Sequence, residues 1–466
     1  MPAYLWKAAL SSRTLLLVSL LGFWISCTYP NGCQTVEIPP LAIENVHLIP
    51  MDRERIVSGQ TVLVRDGRIA AIGPAGAVDT EGARRVDGTG RYLIPGLADM
   101  HVHFMSGNRA INQDLLVLYL ANGVTTVLNL NGHPSHLELG GRIERGELLG
   151  PRLFSSGPSL RGNPPSSYED GVQAVSRQKA QGYHFIKVYN QIPEPAYRGI
   201  IDQARKLGIE VIGHAVRSVN IEGALQSRQH VAHMEEFIYG YFRQGITSAE
   251  LPQDPESVRR RLTAMLDSSK IPPLAERTAE SGIYVVPNLV AYHYILRQVE
   301  DLDRVLDRPE VRLVYPAFRS FWGPANNRYT TRPNLPRFQA VLEVSFPFLQ
   351  ELTRVFQQSG VPLLMGSDAL IPGVVPGFSA HEDLQELVAA GLTNYQALLA
   401  ATRRPAEFLG RLNESGTIQA GKRADLVLLE GNPLRDISNT RRIVAVMARG
   451  RWLDRQFLDG FLKPIG

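Results

Sequence analysis

Cysteine is almost missing from this chain of 466 residues, which contains only Cys27 and Cys33. A disulfide framework therefore cannot hold the fold together, and no cysteine-based metal site or thiol mechanism can be built beyond residue 33. The sequence also lacks a Gly-x-Ser-x-Gly motif, so no activated serine is evident as a nucleophile. Any metal must be held by histidine, aspartate, glutamate or lysine side chains.

A large excess of charge of one sign is also missing. The 49 basic and 45 acidic residues leave a formal net charge of +4. No run of arginine and lysine is long enough to follow a phosphate backbone, and no low-complexity tract or internal repeat stands out. These absences argue against a nucleic-acid partner and favour a compact globular protein.

Long hydrophobic runs are missing as well. The apolar run TLLLVSLLGFWI at 14–25 is short for a membrane span, which needs about 20 residues. Because Lys7 and Arg13 flank it on the N-terminal side, the stretch is typical of a secretory signal. We therefore expect a signal segment over residues 1–26 and an exported protein.

The end of this segment, Ile25-Ser26-Cys27, resembles a bacterial lipobox, although Trp24 stands where that pattern usually has leucine or valine. This predicts lipidation of Cys27 and a location in the cell envelope, either lipid-anchored to a bacterial membrane or periplasmic. An uncleaved or differently cleaved anchor is the alternative.

Short β-rich segments lie near both ends of the chain. After a tether over 27–40, strands are expected in TVLVRDGRIAAIG, where Asp66-Gly67 is a hairpin turn. The segment RRIVAVMARGRWL repeats the pattern with a turn at Arg449-Gly450. We predict a composite β-sandwich domain formed by 41–94 and 412–455, and an independent β-domain at each end is the alternative.

Between these ends, short apolar strands alternate with helical stretches. Eight candidate strands lie in ADMHVHF, VTTVLNL, RLFSSGPS, FIKVY, EVIGHAV, HVAHMEE, YVVPNLV and PLLMGSDA. Eight strands in repeated βα order match a closed parallel barrel, whose chemistry lies at the C-terminal ends of the strands. We predict an α/β fold with a (β/α)8 TIM-type barrel over 95–411, and a doubly wound open sheet is the alternative.

Two segments of this region, 237–275 and 291–348, are long for barrel loops. The second carries the aromatic residues Tyr292, Tyr294, Tyr315, Phe318, Trp322, Tyr329 and Phe338. These side chains fit either a lid or pocket wall, or the small core of an inserted helical hairpin. The second interpretation is favoured for any one of them.

Metal-capable side chains fall at five of the strand ends: His101, His103, Lys187, His214, His233 and Asp368. Each alone has an ordinary explanation, such as a core histidine or a carboxylate that caps a turn, and His230 competes with His233 for the place that faces the site. A lysine inside the apolar FIKVY is harder to explain, because a charged amine is costly to bury. Six such placements at one barrel mouth predict a metal site.

Such a set suits two divalent ions, with zinc expected because imidazole binds zinc and its neighbours well. Two close cations need an anionic bridge, which Lys187 can supply if its amine reacts with carbon dioxide to form a carbamate. Hydroxide is a second bridge, because metal ions lower the pKa of bound water to about 7. Asp368 can then accept the proton of the water and deliver it to the leaving group.

The chain resembles the amidohydrolase superfamily in PGLADMHVHF, FIKVY, VIGHA, VAHMEE, MGSDA and GTIQAGKRADLVLL. The resemblance runs from about residue 41 to 455 and is greatest for the branch with imidazolonepropionase-like proteins and zinc-dependent prolidase-like dipeptidases. One departure lies at strand six, where this branch usually has Glu-His-Gly and the chain has Ala232-His233-Met234.

The resemblance also implies roles for the candidate ligands. One ion would be held by His101, His103, Lys187 and Asp368, and the other by carboxylated Lys187, His214 and His233. Asp368 would be the catalytic proton shuttle. The choice of His233 over His230 rests on this alignment.

Further side chains near the strand ends are candidates for substrate contacts: Arg161, Tyr239, Tyr241, His293 and His381. His381 fits a helix cap equally well. Glu235 or Glu236 either prefers a basic group on the substrate or forms a structural salt bridge.

Together these features predict a metal-dependent hydrolase of carbon–nitrogen bonds, an amidohydrolase that cleaves a dipeptide or an N-acyl amino acid with a metal-bridging hydroxide. Lactone, phosphotriester and cyclic-amide hydrolysis suit the same site. Deaminases of the superfamily usually use one metal and lack the strand-four lysine, so Lys187 argues against deamination.

A non-catalytic envelope binding protein is the alternative from another class, and the six filled positions argue against it. The expected partners are a small amide or peptide substrate and, through the lipid anchor, a membrane. A homo-oligomer is left open.

Overall fold

The computed structural model describes residues 39–463. The predicted signal segment, Cys27 and all but the last two residues of the predicted tether lie outside the described residues. Between 39 and 463, no helix combines the length and the apolar character needed to cross a membrane.

The strands of this part are β1 (Leu41–Leu48), β2 (Val57–Arg65), β3 (Arg68–Pro74), β4 (Arg84–Asp87), β5 (Tyr92–Pro95), β6 (Leu97–Val102), β7 (Val124–Asn129), β8 (Arg152–Ser155), β9 (Phe185–Val188), β10 (Glu210–Gly213), β11 (His230–Ala232), β12 (Val285–Val286), β13 (Leu426–Leu429), β14 (Ile443–Ala448) and β15 (Arg451–Asp454).

The α-helices are α1 (Arg109–Ala121), α2 (Pro134–Glu144), α3 (Tyr168–Ala180), α4 (Glu194–Leu207), α5 (Asn220–Ser227), α6 (Glu235–Phe237), α7 (Pro255–Met265), α8 (Ile271–Ser281), α9 (Leu289–Glu300), α10 (Leu302–Leu306), α11 (Pro316–Trp322), α12 (Leu335–Gln358), α13 (Phe378–Ala389), α14 (Asn394–Ala401), α15 (Arg403–Phe408) and α16 (Arg455–Asp459).

Hydrogen bonds join the terminal strands into one eight-stranded sheet. Its path is β15-β14-β13-β5-β1-β2-β3, and β4 pairs with β1. The two ends of the chain meet in the antiparallel ladder of β13 with β5, where Val427 lies opposite Ile94. Both ends therefore contribute to one β-module, although a sandwich of two packed sheets is not confirmed.

Two hairpin turns lie against each other in this module. Asp66, Gly67, Arg449 and Gly450 all have positive φ, at 50°, 73°, 53° and 78°, which is the conformation of a type I′ turn. A Cβ atom on Gly450 would lie 2.5 Å from the Cα of Gly67. A side chain on Gly450 would collide with the backbone of Gly67, so only glycine allows the two turns to lie this close. The contact joins the N-terminal and C-terminal parts of the sheet.

Seven of the eight predicted barrel strands lie in two parallel sheets, β6-β7-β8 and β9-β10-β11-β12. The α/β fold with parallel strands is therefore confirmed. A parallel bridge pairs Ser156 with Phe185, and another pairs Val285 with Leu363. Phe185 lies in β9 and Val285 in β12, so these bridges add pairing outside the two edge strands of the four-stranded sheet.

Several strands are shorter than their sequence motifs suggest. In HVAHMEE the strand ends at Ala232, since the chain turns at His233 and the short helix α6 begins at Glu235. In PLLMGSDA no regular strand forms, and the segment is attached through Leu363 and through backbone hydrogen bonds that join Met100 to Met365 and His101 to Asp368.

The two long inserted segments are mainly helical and include α7 to α12. Trp322, Tyr329 and Tyr294 are buried, and the ring of Tyr329 is stacked on that of Phe338 with 6.5 Å between ring centroids. Most of these aromatic side chains therefore form a local core, as the helical-insertion interpretation predicts. Tyr315 is an exception, because its side chain is exposed.

Candidate metal centre

Three of the predicted ligands come together at the ends of the parallel strands. Ligand atoms of His101, His233 and Asp368 all lie within 4.8 Å of one another, and all three residues are buried. Oδ1 of Asp368 lies 2.8 Å from Nε2 of His103 and 3.4 Å from Nε2 of His101. Its Oδ2 atom lies 4.0 Å from Nδ1 of His233. The carboxylate of Asp368 thus lies among three imidazoles.

A fourth histidine extends this cluster on one side. The ring centroid of His214 lies 4.7 Å from that of His233 and 4.2 Å from that of Tyr189. Nδ1 of His214 lies 2.5 Å from Oε1 of Glu236. Glu236 is thus engaged with a histidine of the cluster, and the contact is a hydrogen bond to a neutral imidazole because burial lowers the pKa of His214 well below its ordinary value.

Lys187 lies within β9, whose four residues are all buried. Its Nζ atom has no hydrogen-bond partner among the described residues. Burial lowers the pKa of Lys187 to about 8, and this is opposed by the nearby charges of Asp368 and Glu236. The amine is therefore close to the cluster, buried and unpaired, which is an unfavourable state for an ordinary structural lysine.

The ionisation states in the cluster suit metal binding. Burial lowers the pKa of His101 and of His214 well below the ordinary value, and lowers the pKa of His233 to about 3. These imidazoles are therefore neutral, the form that coordinates metal ions. Burial acts to raise the pKa of Asp368, but His101 and His103 outweigh it and hold that pKa well below the ordinary value.

Two residues outside the predicted set orient the cluster. Nδ2 of Asn288 donates to the carbonyl oxygen of Gly366 over 2.6 Å, which fixes the amide orientation. Its Oδ1 atom lies 3.1 Å from Nδ1 of His101 and must therefore accept from it, leaving Nε2 directed at Asp368. The buried Asp99 accepts from both the amide and the hydroxyl of Ser367.

Three residues of this site have a strained backbone conformation. His233, Asn288 and Asp368 have φ of 79°, 55° and 54°, in the left-handed region that costs free energy for side chains other than glycine. Strain of this kind persists where the surrounding structure enforces it, and it is frequent in functional sites.

The structure places His233 rather than His230 in the cluster. The Nδ1 atom of His230 accepts from the amide of Tyr284, and its ring packs edge-on against Tyr284 and Phe408. His230 is thus a satisfied structural histidine, whereas His233 lies beyond the end of β11.

The predicted substrate contacts differ in their distance from the cluster. The guanidinium of Arg161 lies 5.3 Å from the ring centroid of Tyr189, the ring that packs on His214. The guanidiniums of Arg217 and Arg243 lie 5.6 and 5.5 Å from the ring centroid of Tyr239.

The other three candidates have different partners. The ring of Tyr241 lies 5.5 Å from the guanidinium of Arg277. Nδ1 of His293 lies 2.9 Å from a carboxylate oxygen of Glu386. Nδ1 of His381 lies 3.0 Å from Oγ1 of Thr440. No contact in the described structure joins the buried ring of His381 to the four histidines above.

Asn288, Arg217 and Arg243 were not anticipated from the sequence. Asn288 follows the short strand β12 within YVVPNLV, so its position at a strand end was the only available signal.

Comparison with known proteins identifies the family of this chain. The family model described as "Amidohydrolase family" matches residues 92–453. The chain belongs to this family and is thus a hydrolase that acts on carbon–nitrogen bonds, as the resemblance implies. The match spans the parallel sheets, the candidate metal ligands and, of the terminal sheet, β5, β13, β14 and nearly all of β15.

Two relatives show how far the similarity extends. Ochratoxinase of Aspergillus niger is 24% identical over 428 residues, which cover 84% of this chain and 81% of the relative. An imidazolonepropionase of Stenotrophomonas maltophilia (strain R551-3) is 43% identical, but over only 70 residues that cover 14% of this chain and 17% of the relative.

Solved structures share the fold. Bottromycin amidohydrolase has a TM-score of 0.72 and 25% identity, with 91% of this chain and 88% of that chain covered. A Xaa-Pro dipeptidase with methionine bound in its active site has a TM-score of 0.65 and 19% identity, with 89% and 100% covered. The predicted likeness to imidazolonepropionase and prolidase-like proteins is thereby confirmed.

Proposed function

We propose that this chain is a metal-dependent amidohydrolase that cleaves the amide bond of a dipeptide or an N-acyl amino acid. The observation that carries the proposal is the convergence of His101, His233 and Asp368 beside the buried, unpaired amine of Lys187. The names of ochratoxinase and bottromycin amidohydrolase, both of which align over most of this chain, support the general class of reaction.

The residues present fit a centre of two divalent ions. Neutral imidazoles and an ionised carboxylate are ligands that zinc accepts. Carboxylation of Lys187 would remove an unpaired buried amine and provide an anionic bridge. In this arrangement His101, His103 and Asp368 would hold one ion, and His214 and His233 the other. When bound, the ions would supply Lewis acidity and a water of lowered pKa.

The side chains of this chain would then perform the proton transfer and the positioning. The ionised carboxylate of Asp368 would accept a proton from the attacking water and deliver it to the leaving amine nitrogen. Protonation of the nitrogen is needed because an amide anion is a poor leaving group. Asn288 and Glu236 would hold the rings of His101 and His214 in place through hydrogen bonds at Nδ1.

The site also supports a finer description of the fold. We infer that the two parallel sheets and the segment from Leu363 to Asp368 form a closed eight-stranded barrel. The bridge of Val285 with Leu363 and the hydrogen bond of Asp368 N–H with the His101 carbonyl support this closure. Domain bounds of 95–411 for the barrel and of 41–94 plus 412–455 for the terminal module follow the same proposal.

Metal content tests the proposal. We would purify the wild type and Lys187→Met with bicarbonate present and measure metal by elemental mass spectrometry. About two equivalents in the wild type and a clear loss in the variant are expected, because methionine cannot form the bridge. About one equivalent that does not depend on Lys187 would contradict the two-metal proposal.

A stability measurement on the metal-free proteins shows whether Lys187→Met has folded. The variant is expected to be as stable as the wild type or more stable, by on the order of 1 kcal/mol, because a buried amine without a partner is replaced by an apolar side chain. The wild type should in addition hydrolyse members of a panel of dipeptides and N-acyl amino acids.

A further inference from the structure

A cavity of about 160 Å³ adjoins the candidate metal centre. This volume is about tenfold the roughly 15 Å³ that one water needs. The carboxyl-bearing side chain of Glu236 lines it and also contacts His214, so the cavity and the histidine cluster share a wall. Arg217, Tyr239 and Arg243 contribute further to the lining.

Arg243 is the unusual member of this lining. Its side chain is only 3% exposed, yet its Nε atom has no hydrogen-bond partner among the described residues. It follows a π-helical turn over Ile238–Phe242, a rare element that frequently occurs at functional sites. A buried guanidinium with an unused donor is costly unless an anion completes it.

A second cation, Arg217, also lines the cavity. The guanidiniums of Arg217 and Arg243 are 5.6 and 5.5 Å from the ring centroid of Tyr239, so one ring contacts both. Arg217 is exposed whereas Arg243 is buried, so the pair extends from the solvent into the protein. The lining carboxylate, Glu236, already accepts a hydrogen bond from His214.

We propose that Arg217 and Arg243 form a subsite for the free α-carboxylate of the amino acid that leaves after amide hydrolysis. The proposal rests on the proposed function. It adds that a dipeptide or N-acyl amino acid with a free α-carboxylate is preferred over the corresponding C-terminal amide. A guanidinium pairs with a carboxylate through two parallel N–H donors. The cavity has two such groups and one carboxylate that is already engaged, which gives it a preference for anions.

Kinetics with matched substrates test this subsite. We would compare dipeptides with their C-terminal amides for the wild type, Arg217→Met and Arg243→Met. Arg205→Met is the control, because Arg205 is exposed on α4 and pairs with Asp202 away from the cavity. The two cavity variants should raise KM for the free acids about tenfold or more and leave the amides nearly unchanged. The control should match the wild type.

Direct binding separates the subsite from the catalytic proposal. The probes are N-acetyl-L-phenylalanine and its C-terminal amide, titrated calorimetrically into the Asp368→Asn variant, whose turnover should be about 10²- to 10⁴-fold slower than that of the wild type. The acid should bind more tightly than the amide, and each arginine substitution should weaken binding of the acid about tenfold or more. Because Arg217 is exposed, Arg217→Met keeps the test valid if Arg243→Met fails to fold.

The possible outcomes distinguish the two proposals. Arginine-dependent binding of the acid without hydrolysis of any amide would support the subsite and contradict the proposed function. Hydrolysis at equal rates for acids and amides, unaffected by either arginine variant, would support the proposed function and overturn the subsite. Equal binding of the acid and the amide would also overturn the subsite.

Discussion

Glu236 and His214 form a carboxylate–histidine pair in which Oε1 lies 2.5 Å from Nδ1. Both residues belong to the end of the parallel sheet, where β10 and β11 lie side by side. The pair leaves Nε2 of His214 as the nitrogen that is available to a metal ion in the proposed centre. Asn288 has the same relation to His101, so two of the four clustered histidines have an assigned tautomer before any ligand is considered.

The first prediction concerns this pair. Glu236→Ala should weaken metal affinity about 10- to 100-fold, because the imidazole of His214 loses the partner that orients it. Glu236→Gln should retain most of the affinity, since its amide oxygen can still accept from Nδ1. Competition with a chromogenic chelator gives both affinities. Equal affinities for the wild type and Glu236→Ala would show that the pair does not orient a ligand.

The second prediction concerns Asp368. Asp368→Asn should lower kcat for amide hydrolysis by about 10²- to 10⁴-fold, because an amide cannot accept and deliver the proton. Asparagine is chosen because it tolerates the positive φ of 54° at this position. Steady-state kinetics and metal content would be measured together.

The control for Asp368→Asn is Asp303→Asn, a substitution at an exposed site on α10. This control should behave as the wild type does. Full activity of Asp368→Asn on a confirmed substrate would rule out the proton-shuttle role.

The third prediction concerns pH and His381, which lies outside the metal cluster. Burial lowers the pKa of His381 to about 3, whereas an unperturbed histidine has a pKa of about 6.5. Between these values the unfolded chain binds more protons than the folded protein. The stabilisation that comes from the neutral, buried His381 is therefore complete above pH 6.5. It is lost as the pH falls toward 3, by at most about 1.4 kcal/mol per pH unit.

The variant His381→Gln should consequently lose less stability than the wild type on going from pH 6.5 to pH 5, by about 2 kcal/mol. Urea denaturation at the two pH values measures this difference. His47→Gln, at a half-buried histidine on β1, controls for the substitution itself. Parallel pH profiles for His381→Gln and the wild type would contradict the assignment.

The fourth prediction concerns export. Cys27→Ser should release the protein from the membrane fraction of a bacterial host, because the predicted lipid would no longer be attached. Immunoblots of soluble and membrane fractions measure this, and Cys33→Ser provides the matched control. Membrane retention of Cys27→Ser at the level of the wild type would favour an uncleaved helical anchor instead.

The sequence by itself determined the features that depend on local order along the chain. Alternating apolar strands and helical stretches predicted the α/β class, and the turns at Asp66-Gly67 and Arg449-Gly450 predicted the hairpins. The chemically distinctive residue types at strand ends pointed to His101, Lys187 and Asp368 as candidate ligands. These signals are readable because strand alternation and turn conformation depend on a few neighbouring residues.

Only the tertiary structure decided which side chains complete the site. Asn288 lies 187 positions from the His101 that it orients, and no local pattern connects them. Strand alternation left His230 and His233 as alternatives, and the family resemblance chose His233. Alternation could not decide because β11 ends at Ala232 and the positive φ of His233 breaks the pattern of the strand. Arg217 and Arg243 contact the same ring only after α5 and the π-helical turn have packed together. Such contacts arise from long-range packing, which sequence periodicity does not encode.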